Sequence, residues 1–377
     1  MRPALPVALS LLLLMLTGCN LETAERESPP DTANDDQRAE VVTSPTPSTP
    51  GDPDPTPTRE PTPAPEPTPS PTPEADIPDE PWADRGRLTV LLAGSDQGFY
   101  HEGIRTDAMI VASLDLETGY TTLFGIPRSF GDVPLSEDVA RAMGISVYPG
   151  QVNWLTYIAP NYPQLAEGDR DPGMVALRGA MEGLLGIPVD YYAMVDMTGF
   201  VDLVDAIGGV ELDVREPIRV RLLSPVEGEG FRQFEIDPGL QTLDGQEALA
   251  YARTRTGTTD YDRMERQRCV ISAAVNELDL QTLVRVFPDL VDVIREHVVT
   301  DVPLEQLPDM VMLRDMIRTD RIISIGFTPP EFTSGETSVG HTMPDIVRIQ
   351  DTVQHVFTDP EFYLDGDGRD VLDDRHC

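Results

Sequence analysis

The 377-residue sequence contains no lysine; its 28 basic residues are all arginines, set against 65 aspartates and glutamates for a net charge of −37. A field of that sign repels nucleic acid and anionic lipid surfaces, so general DNA or RNA binding is excluded. Arginine stays charged and grips phosphate with a planar fork, so an arginine-only chain still has the tools for phosphate chemistry. Cysteine is scarce: Cys19, Cys269 and Cys377 are too few for a disulfide framework and too dispersed for a zinc site. Cys269 falls in an expected helix and reads as a buried small hydrophobe, with a bridge to Cys377 as the alternative. The five histidines, at 101, 297, 341, 355 and 376, form no catalytic spacing. There is no Gly-Lys phosphate loop, no paired-histidine zinc motif and no nucleophile-elbow serine. No stretch reaches the ~20 apolar residues needed to span a bilayer.

What is present divides the chain into four. Residues 1–19 read as an export signal: Arg2, then the short apolar run Ala4–Leu16, then Leu16-Thr17-Gly18-Cys19, which resembles the bacterial lipobox. That resemblance implies that Cys19 carries acyl chains and tethers the protein to a membrane. Residues 20–84 hold 16 acidic and three basic residues, and 17 of the 36 prolines lie between Pro29 and Pro81. Such a segment cannot bury a core and reads as an extended, solvated spacer, rising ~3.1 Å per residue where polyproline-like. A globular domain is expected over 86–360, and 361–377 is an acidic tail.

Within the domain, apolar runs predict strands at Leu88–Gly94, Met109–Leu114, Tyr120–Ile126, Tyr191–Val195, Val210–Val214 and Ile322–Phe327. Glu117-Thr118-Gly119 makes the second and third strands a hairpin. Helical spacing predicts helices over 175–186, Phe200–Ile207, Asp244–Ala252, Arg263–Leu278, 281–298 and 303–317, with 216–240 as an irregular arm. The sum is an α/β fold, a mixed β-sheet flanked by helices in an α-β-α arrangement.

Two clusters carry chemistry. Arg253, Arg255, Arg263, Arg266 and Arg268 fall within sixteen residues of a strongly acidic chain. Arg263 and Gln267, four apart on a helix, share a face. Arg253 and Arg255, two apart in extended chain, would point the same way. An anion beside Arg263 would also gain from the helix N-terminus. The bland alternative is a set of surface ion pairs with Asp260, Asp262 and Glu265. The second cluster is Asp96 and Asp107 at neighbouring strand ends, which suits Mg²⁺ or equally ordinary turn chemistry. Arg128 ends the third strand on what could be the same edge.

Nine ordered motifs then resemble the LytR-CpsA-Psr family over residues 87–280. They are Gly94-Ser95-Asp96, Arg105-Thr106-Asp107, Gly125–Arg128, Gly186–Tyr192, Val195-Asp196 with Gly199-Phe200, Asp205–Val210, Leu243-Asp244-Gly245, Ala248–Arg255 and Asp260–Gln267. The resemblance implies an extracytoplasmic phosphotransferase. It would move a glycopolymer from a polyprenyl pyrophosphate carrier to a cell-wall acceptor, peptidoglycan, at the outer face of the membrane. It implies that Asp96 and Asp107 hold a divalent metal, Mg²⁺ or Mn²⁺. Arg105, Arg128, Arg253, Arg255, Arg263 and Gln267 would hold the pyrophosphate. Asp260 would orient the arginines, and the catalytic set would be Asp107, Arg128, Arg253, Arg255, Asp260 and Arg263. A polyprenyl pyrophosphate hydrolase and a non-catalytic, wall-polymer-binding or regulatory lipoprotein are the alternatives. The chain departs from the family pattern at Ser129, where Asp is usual, and at Gln151-Val152-Asn153-Trp154, where Lys-Ile-Asn-Ala is usual. Its loop between Arg255 and Asp260 is short, and most relatives carry a transmembrane helix where this chain has a lipobox-like start.

Overall fold

Six strands make the central sheet in a computed structural model: β1 Arg87–Ser95, β2 Thr106–Asp115, β3 Thr121–Gly125, β4 Tyr191–Val195, β5 Val298–Thr300 and β6 Ile322–Gly326. Their spatial order is β5-β4-β1-β2-β3-β6. β1–β2, β2–β3 and β4–β5 are antiparallel, whereas β1–β4 and β3–β6 are parallel. The structure describes residues 86–364 except 97–103, 167, 169, 225–229, 278–292, 294, 304–312, 314–315 and 319–320. The export signal with Cys19, the Pro-rich spacer, His101, His376, most of the helices expected over 281–298 and 303–317, and the tail from 365 lie outside the described residues.

The expected α-β-α layering is present. β1 and β2 are apolar almost throughout because both faces of the sheet are covered. On one face Leu91, Val111, Phe124 and Tyr192 pack against helix α1 (Pro172–Leu185). Asp171 caps its start and Gly186, at φ +69°, ends it in the left-handed conformation. On the other face lie α2 (Met197–Ile207), α3 (Gly245–Arg253) and α4 (Asp260–Glu277). Each has a sequence reason to begin where it does. Asp196 caps α2, and Asp244 with Glu247 forms a full capping box on α3. Returning to the first face, α5 (Ile346–Thr358) adds Ile349 and Val353 to the core.

Four expectations need correction. Residues 216–240 are not irregular: Ile218–Leu223 and Phe231–Ile236 form an antiparallel hairpin, and Ile218-Arg-Val-Arg-Leu has the period-two alternation that specifies it. Val298, read as the end of a helix, instead opens the edge strand Val298–Thr300 paired with β4. α4 begins at Asp260 rather than Arg263, because its cap lies in the Thr-rich turn before it. Cys269 is buried, as expected, but it is disulfide-bonded rather than free. No helix among the described residues is long and apolar enough to cross a membrane.

Candidate functional site

The site is built at the edge of the sheet where β1 ends and β2 begins. Gly94 faces Ala108, but Ser95 faces Thr106, which leaves Asp107 as the extra residue of a β-bulge. A bulge bends the strand and re-aims a side chain out of the ladder. Asp107 uses that freedom twice. Its Oδ1 accepts from Arg128 Nη1 at 2.6 Å, and its backbone carbonyl accepts from Arg263 Nη1 at 2.9 Å. Asp96 lies on the same edge, where its carboxylate accepts from the Arg105 backbone amide at 2.9 Å and pairs with Arg105 Nη2 at 3.1 Å.

Asp260, the first residue of α4, is the hub of the arginines. Its Oδ1 accepts from Arg263 Nε at 3.0 Å and lies 3.9 Å from Arg255 Nη1, while its Oδ2 lies 3.4 Å from Arg128 Nε. One carboxylate therefore orients three guanidinium groups. Burial works against the Arg128 cation, yet Asp107 and Asp260 outweigh it and hold the group above its ordinary value. Arg263 is only 3% exposed, and burial pulls it below its ordinary value despite Asp260.

Arg253 differs from the others. Among the described residues no carboxylate comes within ion-pair distance of its guanidinium. Burial lowers its value, and the more distant Asp107 and Asp96 offset this only in part while Arg263 adds to it. Arg263 shifts the same way although Asp260 pairs with it, so it is the missing partner, not the shift, that sets Arg253 apart. The two-apart geometry expected for Arg253 and Arg255 is not what brings them together. Arg253 is the last residue of α3, Thr254 turns the chain to extended backbone, and Arg255 stands exposed beyond it. The first turn of α4 carries Asp260 and Asp262.

The start of α4 is a capping box. Thr259 N donates to Asp262 Oδ2 at 2.6 Å, and Asp262 N donates to Thr259 Oγ1 at 3.2 Å. The Thr259 amide holds the Asp262 carboxyl below its ordinary range. Such a group stabilises the fold above the unfolded Asp value of about 3.9 and ceases to do so as pH falls through its lower folded value. Asp262→Ala is expected to remove that dependence. Its melting temperature should fall less steeply below about pH 4 than that of the wild type, as thermal scans across pH 2–6 would show.

Arg266 and Arg268, the remaining members of the sequence cluster, turn inward. Arg266 Nε donates to Tyr251 O at 2.9 Å, and its Nη2 donates to Thr254 O and to Thr258 Oγ1. It thereby satisfies carbonyls at the end of α3 and fixes the turn that carries Arg253 and Arg255. Arg266→Ala is expected to cost about 2–4 kcal/mol of stability through the acceptors it strands. Arg266→Lys should not restore it, since one ammonium cannot reproduce the fork; denaturant melts of both variants check this. Arg268 crosses the paired glycines Gly125 and Gly326, where a Cβ would come within 2.8 and 2.9 Å of its Nη1.

Behind the charged edge opens a cavity of about 520 Å³. Asp96, Asp107, Arg253, Arg255, Arg263 and Gln267 line it together with apolar side chains from three sides. Leu92 and Ile110 come from the sheet, Phe200, Val204 and Ile207 from α2, and Val270, Ile271 and Ala274 from α4. Gln267 Nε2 is held by Ala252 O at 3.4 Å. Arg105 and Arg128 stand outside the cavity wall, each gripping one of the carboxylates that line it, Asp96 and Asp107. All eight residues expected to bind pyrophosphate or metal are thus in one place, with Asp260 among them. The bulge and the structural role of Arg266 are what sequence reading missed.

The LytR_cpsA_psr family profile matches residues 66–349. Over 225 residues the chain is 32% identical to the polyisoprenyl-teichoic acid–peptidoglycan teichoic acid transferase TagU of Bacillus subtilis, covering 59% of this chain and 62% of that protein. Over 199 residues it is 31% identical to the cell wall biosynthesis protein LcpA of Corynebacterium glutamicum, covering 51% of this chain and 35% of that protein. The chain thus spans less than two thirds of the length of these relatives. The crystal structure of B. subtilis TagV matches with a TM-score of 0.52 at 20% identity, over 74% of this chain and 97% of that one. TagT bound to LIIa-WTA matches with a TM-score of 0.50 at 21% identity, over 73% and 91%. At such identities the structural likeness establishes the fold, and the profile, covering most of the chain, establishes the kinship. The chain belongs to the LytR-CpsA-Psr family.

Proposed function

We propose that this protein transfers a glycopolymer from a polyprenyl pyrophosphate carrier to peptidoglycan, outside the cytoplasm and tethered through acylated Cys19. One observation carries the reading: the guanidinium of Arg253, with no carboxylate at ion-pair distance among the described residues, lines a largely apolar cavity. A ligand matching both is an anion joined to a long hydrocarbon. The name of the TagU relative couples a polyisoprenyl-linked polymer to peptidoglycan, which agrees with that chemistry.

In this reading the cavity takes the first isoprene units and the pyrophosphate lies among Arg253, Arg255, Arg263 and Gln267. An acceptor sugar hydroxyl attacks the sugar-side phosphorus. The bridging P–O bond breaks, the hydroxyl proton is released, and polyprenyl phosphate leaves with the electron pair on its oxygen. Negative charge builds on that oxygen and on the transferring phosphoryl group, and fixed guanidinium groups stabilise it without reorganising. Asp260 acts by orienting Arg128, Arg255 and Arg263. Asp96 and Asp107 fit a divalent cation, Mg²⁺ or Mn²⁺. They are hard oxygen donors, each already paired with an arginine, Arg105 and Arg128, with which a cation would share it; among the described residues no group of three or more His, Cys, Asp or Glu forms a metal site. When bound, the cation would supply countercharge to the pyrophosphate.

The test is to incubate the full chain with a lipid-linked oligosaccharide and peptidoglycan fragments, with and without Mg²⁺. A covalent sugar-phosphate–peptidoglycan product supports transfer. Free sugar phosphate alone would make it a hydrolase, and binding without turnover would make it a wall-polymer-binding protein.

A further inference from the structure

Two aromatic rings lie in the open beside the charged edge. Trp154 is 37% exposed and Tyr157 44%, and their rings meet edge to face with centroids 5.6 Å apart. They sit on a short turn, Val152–Trp154, running into the helical turn Leu155–Ile158. That turn is fastened to the site from both sides. Val152 N donates to Phe130 O at 2.8 Å, two residues beyond Arg128, and Thr156 Oγ1 donates to Ile104 O at 2.8 Å, next to Arg105. The rings therefore keep a fixed position relative to the mouth. The Arg105 guanidinium links the two directly, lying 5.0 Å from the Trp154 ring centroid and 3.1 Å from the Asp96 carboxylate. Asp96 lines the cavity, whereas Arg105, Trp154 and Tyr157 do not.

We propose that Trp154 and Tyr157, with Arg105, form a platform for the first pyranose ring of the donor glycan. This rests on the function proposed above. A lipid in the cavity presents its pyrophosphate at the mouth, and the next group along the donor is a sugar. Trp154 is one side chain from Asp96 on the solvent side, where that sugar must emerge. A pyranose has an apolar face of axial C–H groups and a rim of hydroxyls. The electron-rich face of an aromatic ring suits the first, and the five-donor guanidinium of Arg105 suits the second. A neutral aromatic surface also adds recognition without further charge beside a pyrophosphate. The acceptor is placed less well by this geometry, because it must reach the phosphorus from the side opposite the leaving phosphate.

The chain's two tryptophans, Trp82 and Trp154, make the test direct. In a Trp82→Phe background the emission of Trp154 alone is followed on titrating the full chain with polyprenyl pyrophosphate and with a lipid-linked disaccharide. The disaccharide-bearing lipid is expected to change the emission far more than the sugar-free lipid. Radiolabelled-lipid binding then compares Trp154→Ala with its parent, and Tyr157→Ala with the wild type. Affinity for the disaccharide lipid should fall by about 2–10-fold, the range of one aromatic contact, with affinity for the sugar-free lipid unchanged. Trp154→Phe should recover most of the loss. An equal loss for both lipids, or none for either, overturns the platform while leaving the pyrophosphate site standing. A raised KM for peptidoglycan at unchanged donor KM would assign the rings to the acceptor, and loss of binding to sugar-free vesicles would assign them to the membrane. Failure of the parent chain to bind either lipid overturns the function and the platform together.

Discussion

Replacing Arg253 with alanine is expected to lower transfer by about 10²–10³-fold, the cost of removing one fixed donor from a developing oxyanion, while leaving the melting temperature nearly unchanged. The two expectations come from one fact. Arg253 has no ion-pair partner among the described residues, so its removal strands no carboxylate and leaves the turn held by Arg266 intact. Arg263→Ala is the contrasting variant. That guanidinium supports both the Asp107 carbonyl and the Asp260 carboxylate, so activity and stability should fall together. Initial rates of polyprenyl phosphate release, paired with thermal melts, separate the two cases. Full turnover in Arg253→Ala would remove the residue from the chemistry. A large drop in melting temperature would show that its role is structural. Arg253→Lys should recover only part of the rate, because a single ammonium replaces a planar fork.

Much of this arrangement could be read from residue order, and the exceptions share a cause. Strands Tyr191–Val195 and Val210–Val214 and the cap at Asp244 lie where local pattern puts them, because burial on a pleated face and an unpaired helix amide leave direct marks in sequence. The convergence of Asp96, Asp107, Arg128 and Arg253 was inferred from motif order and is present. Its mechanism was invisible: the bulge that frees Asp107 is a register shift between two strands, and a register belongs to a pair rather than to either segment. The strand at Val298–Thr300 is a three-residue edge with no pattern long enough to read. The first strand of the hairpin at 218–236 carries period-two alternation, but the second, Phe231-Arg-Gln-Phe-Glu-Ile, alternates only over its last three residues and is too short a pattern to read alone. Arg266 and Arg263 look alike in sequence. One faces the carbonyls of α3 and the other faces Asp107, a difference that three residues of helix and the packing of two helices decide.

The charge arrangement explains why an acidic protein spends its arginines here. Five guanidinium groups, at 105, 128, 253, 255 and 263, meet three carboxylates, at 96, 107 and 260, at the mouth of a cavity in a chain of net charge −37. The surrounding field would expel an anion, so local excess has to be strong and held in place. Asp260 holds it by pairing with guanidinium groups that would otherwise repel one another, at the cost of neutralising part of what it organises. Arg253 escapes that neutralisation because it belongs to a different helix, oriented by α3 rather than by an ion pair.

Filling the cavity should separate stability from activity in the opposite sense to Arg263→Ala. Ala274 lies on α4 in the cavity wall, 7% exposed, beside Val270 and Ile271. In the sequence these three are indistinguishable from packed core, and only the open volume of about 520 Å³ shows that they face space. Ala274→Phe would turn its ring into that space, so the melting temperature should hold or rise, as cavity-filling substitutions commonly do. The same ring would exclude carbons of the carrier. At about 0.8 kcal/mol per buried methylene, four excluded carbons correspond to about 3 kcal/mol, or roughly 150-fold in kcat/KM. The loss should be confined to long-chain donors, because a donor with one or two isoprene units does not reach the blocked depth. Comparing long- and short-chain pyrophosphate donors on Ala274→Phe decides the matter. Equal loss on both would mean that the ring has disturbed the arginines, and no loss on either would mean that the hydrocarbon runs elsewhere. A selective loss on the long chain, in a protein at least as stable as its parent, has no source other than competition for the cavity.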